Sequence, residues 1–265
     1  MADNPYAPPK TNVADVPEAV AAGGFLREGR GVRSGHGWRW IGDAWALTNG
    51  QRLVFIGVLL VLTIVSVAVS FIPLIGSLAG AFLSPFLGAG FALGCDVVRR
   101  GGQIEVAHLF GGFERHTGKL LLVGVVAVGM YMLIGIVVGL VLVATVGREF
   151  FVDPPTTFEQ LYELRLPLLL AALVGLALLL PVAMALLYVP NLVMLNDAEV
   201  FPAIKASFVA CLKNMLPFLV WGLVALGMLL VASPLILIGP LLAWFLLKVS
   251  LYVSYRDIFY DTRGE

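Results

Sequence analysis

Charge is what this sequence has least of. Only 13% of its 265 residues are charged, while 60% are hydrophobic; a soluble domain carries about 25% charged and roughly 45–50% apolar residues. One soluble core cannot hide that excess, so the composition excludes an ordinary water-soluble fold and points to several membrane spans. Neither sign of charge predominates, with 17 basic and 17 acidic residues, which leaves nothing to attract a nucleic acid. Cysteine is nearly missing. Cys95 and Cys211 are too few for a disulfide framework or a zinc site and read as small packing residues. Histidine is as scarce: His108 and His116 stand too far apart for a helical metal pair, and no Cys or carboxylate set completes a site. Ser66, Ser70 and Ser250 lie in apolar runs without a histidine at their depth, which removes Ser/His hydrolysis. The stretch GGFERHTGKL places Phe113 and Leu120 where a phosphate loop needs glycine and a hydroxyl. The expectation is a protein that is not an enzyme and holds no cofactor or metal.

What the chain has in quantity is uncharged apolar sequence. Six spans are expected at about 53–72, 74–95, 120–146, 166–190, 215–232 and 235–255. Each approaches or exceeds the roughly 20 residues that cross about 30 Å of hydrocarbon. Residues 1–36, rich in proline and glycine and carrying Arg27, Arg30 and Arg33, read as a disordered cytoplasmic tail. They hold no cleavable signal peptide, so the first span is expected to act as its own insertion signal. Residues 37–261 form the membrane domain and 262–265 a short cytoplasmic tail.

The spans come in a repeated plan. Arg52 answers Lys213, Pro73 answers Pro234 and Asp96 answers Asp257, all at one constant offset. The fold class expected is therefore all-α and polytopic: three units, each an amphipathic surface helix followed by a helical hairpin. In the first surface helix Trp38, Ile41 and Trp45 share a face, and Arg39 and Asp43 are spaced to pair. The second, over 105–117, presents Val106, Leu109, Phe110 and Phe113, and Lys119 follows it. The third has Ile204, Phe208 and Leu212 as its stripe, with Lys205 and Lys213 outside it. The middle unit diverges through a longer outer loop, Arg148 to Arg165.

Apart from Lys248, every Lys and Arg except Arg148 and Arg165 falls on one side of these spans. The positive-inside rule places that side, with both termini and all three surface helices, in the cytoplasm. Gly76, Gly80, Gly88, Gly90 and Gly94 run along the second span as a close-packing seam or a substrate groove. Pro85, Pro181 and Pro217 are compatible with broken helices. Lys248 is the one ionisable residue well inside a span. It is expected to snorkel toward the cytoplasmic interface or pair with Asp96 or another acidic residue near that face, or to bind an anionic headgroup or substrate. Arg256, Asp257, Tyr252 and Tyr255 read as interface anchors or as a docking site for a cytoplasmic partner.

The opening GWRWIGDAWAL, the middle PLIG turn and the closing SYRDIF together resemble a family of bacterial polytopic inner-membrane proteins without an assigned activity. The marks are Trp38, Trp40, Trp45, Pro73, Gly76, Ser254, Tyr255, Arg256, Asp257 and Phe259, and the likeness covers about residues 36–260. It implies a six-helix inner-membrane protein and carries over no catalytic residues.

The function expected is that of a non-enzymatic, lipid- or partner-organising envelope component, with a small-solute or lipid transporter or channel as the alternative. The interface set is Trp38, Trp45, Arg52, Lys119, Lys205, Lys213, Lys248 and Arg256. The partners expected are anionic lipid headgroups, with self-association left open.

Overall fold

A computed structural model of the chain describes residues 24–72, 76–148, 152, 154, 156–235 and 238–261. Residues 1–23 of the expected tail, the turn at Pro73 and residues 262–265 lie outside these. In order come α1 (His36–Leu47), α2 (Arg52–Ser70) and α3 (Gly76–Arg99). A 3-10 turn (Val106–Phe110) then runs into the short α4 (Gly111–Glu114). After it stand α5 (Thr117–Val146), α6 (Phe158–Glu163), α7 (Arg165–Leu186) and α8 (Val189–Asn196). Finally come α9 (Val200–Lys213), α10 (Met215–Ala232) and α11 (Ile238–Phe259). Among the described residues the one β contact is an isolated bridge between Phe25 and Tyr260.

Five helices are long and apolar enough to cross a membrane: Arg52–Ser70, Leu78–Arg99, Thr117–Val146, Arg165–Asn196 and Met215–Ala232. Their outer faces leave side chains such as Leu133, Leu140, Leu169, Leu176, Leu219 and Leu223 exposed. Water would penalise such continuous apolar faces heavily, whereas lipid does not; the chain is a membrane protein. The place of the sixth expected span is taken by α11, 22 residues long, which also carries Lys248, Arg256 and Asp257.

The prolines do not break the helices where the spacing allowed it. Pro85 and Pro181 lie inside continuous α3 and α7, and Pro217 sits in the first turn of α10, where a missing N–H costs nothing. The fourth span instead breaks at Leu187–Tyr188 and continues as α8, whose first turn holds Pro190. The chain stays helical to Asn196 rather than leaving at Pro190. The Tyr188 amide freed at the break donates to Ser207 Oγ at 3.1 Å.

The surface segments differ from their expected faces. In α1 the buried side is Gly37, Trp40, Ile41 and Ala44, while Trp38 and Trp45 are 65% and 48% exposed. The second segment is no continuous helix. Leu109 is buried, and Phe113 stacks on Phe86 with centroids 4.5 Å apart. In α9 the buried stripe is Val200, Ala203, Ser207, Ala210 and Cys211, not Ile204, Phe208 and Leu212. Small residues face inward because lipid gives no hydrophobic drive between helices, so close backbone approach decides the packing. At Gly37 and Gly90 a Cβ would come within 2.1 Å of the carbonyls of Pro217 and Leu109.

Each surface segment rests on a hairpin other than the one it leads into. α1 packs on α10 and α11, the 3-10 turn and α4 on α3, and α9 on α7. The polar connections meet at one end of the bundle. Gln51 bonds the amide of Ile104 and the carbonyl of Gly102, both at 2.9 Å. Residues 24–35, expected to be loose, are held there too: Leu26 N donates to Phe259 O and Arg30 N to Ile258 O, both at 2.8 Å.

Candidate functional site

The bundle contains a chamber of about 580 Å³. It is built where the small residues of α3 meet the break in the fourth span. Gly80, Ser84 and Gly88 form one wall, Tyr188, Pro190 and Asn191 another, and Trp244, Lys248 and Tyr252 of α11 a third. The glycine run divides between packing and cavity lining. Gly90 and Gly94 receive the second surface segment, while Gly80 and Gly88 open the chamber.

Among the described residues Lys248 is the only Lys, Arg, Asp or Glu lining that chamber. It does not pair with Asp96. Its Nζ lies 4.4 Å from the centroid of the Trp244 ring, one turn further from the charged end. A helical side chain leans toward the helix N-terminus, which here points into the bundle, and the indole face offers a cation its one attraction at that depth. Asp96 is already filled. Tyr252 Oη donates to its Oδ1 at 2.9 Å, Arg99 Nε lies 3.1 Å from the same oxygen, and Arg100 Nη2 lies 2.6 Å from Oδ2. Among the described residues Lys248 makes no ion pair, and neither Ser84 nor Asn191 makes a side-chain hydrogen bond. The chamber is thus mostly apolar, with a few free polar groups and one cation, a lining that suits an amphiphile with an acidic end better than a hydrated ion.

A second polar centre forms beyond the apolar part of α11. Asp257 Oδ1 lies 2.9 Å from Arg30 Nη2. Its Oδ2 accepts from Trp40 Nε1 at 2.8 Å and lies 2.6 Å from His36 Nδ1. His36 and Trp40 stand one turn apart on α1, so one helix face presents both to a single oxygen. Arg30 also donates from Nε to the Asp257 carbonyl at 2.7 Å and reaches Asp261 at 3.2 Å. Burial pushes the Asp257 carboxyl up, but the bonds from Trp40, His36 and Arg30 outweigh it and hold the group below the usual carboxylate range. Burial alone pushes the Cys211 thiol up to about 12, which marks an unreactive packing residue.

The residues of the expected interface set are dispersed. Trp38 and Lys205 are exposed, and Arg52 stacks over Trp45 with its guanidinium carbon 3.8 Å from the ring centroid. Lys119 is engaged by Asp197 at 2.7 Å and Glu199 at 2.8 Å, bridging α5 to the loop before α9. Lys213 Nζ donates to the carbonyls of Glu28 and Gly29 at 3.3 and 3.2 Å. Arg256 lines a cleft beside Asp257. Arg30, His36 and Trp40 were missed as site residues. The periodicity of α1 picked out Trp38, Ile41 and Trp45 and passed over Trp40, and nothing local ties Arg30 to a carboxylate at the far end of the chain. No family model, curated protein or solved structure matches the chain.

Proposed function

We propose that the chain is a six-span protein of a bacterial inner membrane that binds and organises lipids and performs no chemistry of its own. Its three units close in a ring, with both termini and the three surface segments in the cytoplasm. The cations at one end of the bundle support that orientation. The constant offset of Arg52, Pro73 and Asp96 to Lys213, Pro234 and Asp257 supports the repeat, as does the way each surface segment rests on a neighbouring hairpin.

The observation that carries the lipid reading is the largely apolar chamber around Lys248. A small-solute pathway is expected to be lined by polar groups along its length; this chamber offers one cation and a few amides and hydroxyls. Transport of a lipid is the second reading, favoured by the chamber being walled by helices of all three units.

Native mass spectrometry of the full chain in nanodiscs of mixed phosphatidylglycerol and phosphatidylethanolamine tests the first reading. Wild type is expected to retain anionic lipid, Lys248→Met to retain about tenfold less, in line with a charge-assisted bond of about 1.5 kcal/mol or more, and Ser84→Leu to retain less by filling the chamber. Equal retention by all three chains sinks the lipid reading. Lipid flux across proteoliposomes that disappears in Ser84→Leu would favour transport over simple organisation.

A further inference from the structure

The cleft beside Asp257 does something the chamber does not. It has about 630 Å³ and lies between residues 30–33, α1 and α11. It is walled by Val253, Arg256 and Asp257, whereas the chamber takes Lys248, Leu251 and Tyr252 of the same helix. Four arginines line it, Arg30, Arg33, Arg39 and Arg256, against two carboxylates, Asp43 and Asp257. Asp257 has no capacity to spare, because Arg30, His36 and Trp40 occupy both of its oxygens. Asp43 stands one turn from Arg39, yet no ion pair joins them among the described residues. Among the described residues Arg33, Arg39 and Arg256 are therefore left without an acidic partner. Arg256 is held in place regardless. Its guanidinium carbon lies 3.5 Å from the centroid of the Tyr260 ring, and its Nε is buried with no acceptor.

A buried donor without an acceptor costs free energy unless a ligand supplies one. Three unpaired guanidiniums around one cleft offer more donors than a single carboxylate can use, and their planar forks match the oxygens of a tetrahedral phosphate. The cleft also lies beside the last turns of α11, past Lys248 and the apolar part of that helix. We infer that this cleft binds a phosphate group through Arg33, Arg39 and Arg256. The inference goes beyond the lipid reading of the chamber, since a headgroup or a free phosphate carries the same recognised group.

The test uses the full chain in phosphatidylcholine nanodiscs. One arm dopes the discs with phosphatidic acid and measures retention by native mass spectrometry. The other adds inorganic pyrophosphate to undoped discs and measures binding by calorimetry. Arg33→Gln and Arg39→Gln are each expected to weaken binding about tenfold, the size of one charge-assisted bond. Arg39→Lys is expected to fall between wild type and Arg39→Gln, because it keeps the charge and loses the fork. Arg27→Gln removes a charge from the same segment at an exposed position outside the cleft and is expected to change binding less than about twofold, as a screened surface charge does. Binding of phosphatidic acid alone identifies a headgroup; binding of pyrophosphate as well identifies a site open to soluble phosphate. Failure of both probes to bind, or an equal loss in Arg27→Gln and Arg39→Gln, overturns the inference in favour of a solvated basic face. Lys248→Met reports on the chamber separately, so failure there leaves this result standing.

Discussion

Asp96 and Asp257 hold the same place in two hairpins, each near the polar end of the returning helix, and they do opposite work. Asp96 stays close to home. Two of its partners, Arg99 and Arg100, lie within the next turn, and the third, Tyr252, comes from α11. Asp257 collects donors from the far end of the sequence, Arg30, His36 and Trp40. One aspartate finishes a helix, while the other fastens a distant segment to the bundle. Matching positions in the sequence thus do not fix what a residue holds.

The comparison breaks most visibly at Asp257. In Asp257→Ala the segment from Phe25 to Arg33 loses its anchor, and Arg30 is left partly buried without its closest acid. The expected loss is about 2–3 kcal/mol, below the range for a fully buried pair because Arg30 and Asp257 are partly solvated. Trypsin is expected to cut at Arg27, Arg30 or Arg33 in the variant and to spare them in wild type. Unchanged protection would mean that the backbone bonds of Leu26 and Arg30 suffice alone.

Acid acts on the same latch more gently. The Asp257 carboxyl is held below its unfolded value, which is about 3.9. Its stabilisation is therefore complete above that value and is lost as pH falls through the lower folded value. Hydrogen exchange in residues 25–33, corrected for the intrinsic rate, is expected to rise only below about pH 4. A rise near pH 6 would show that another group governs the latch.

Asp96→Asn should matter least. The amide oxygen still accepts from Tyr252, so the change loses the ion pairs to Arg99 and Arg100, whose side chains are 29% and 70% exposed, about 1 kcal/mol after solvent screening. Thermal unfolding in detergent should show a smaller shift than for Asp257→Ala. A larger one would reverse the ranking of the two aspartates.

The long apolar helices were legible because hydropathy is local: each span announces itself within its own residues. The faces of the surface helices were not, because amphipathic periodicity assumes two environments and these helices have three. Trp40 goes to protein, Trp38 and Trp45 stay on the outside, and the polar side meets water, so one stripe of aromatics divides between two destinations. In α9 the residues that pack are the small ones, which hydropathy ranks below Ile204 and Phe208. Lys248 stood out from composition alone, but its chamber did not, since the walls come from separate helices that converge only in the fold. The partnership of Arg30 with Asp257 was hidden for the same reason: sequence distance conceals it.

That partnership sets an order of assembly. Residues 25–33 and α1 are made first, yet the surface that receives them, α10 and α11, is made last. Until α10 and α11 are in place, Trp40 has no pocket and Arg30 lacks Asp257, so the early segment must wait undocked. A chain stopped before α10 would keep its first spans and still present this segment undocked, a ready handle for quality-control proteases.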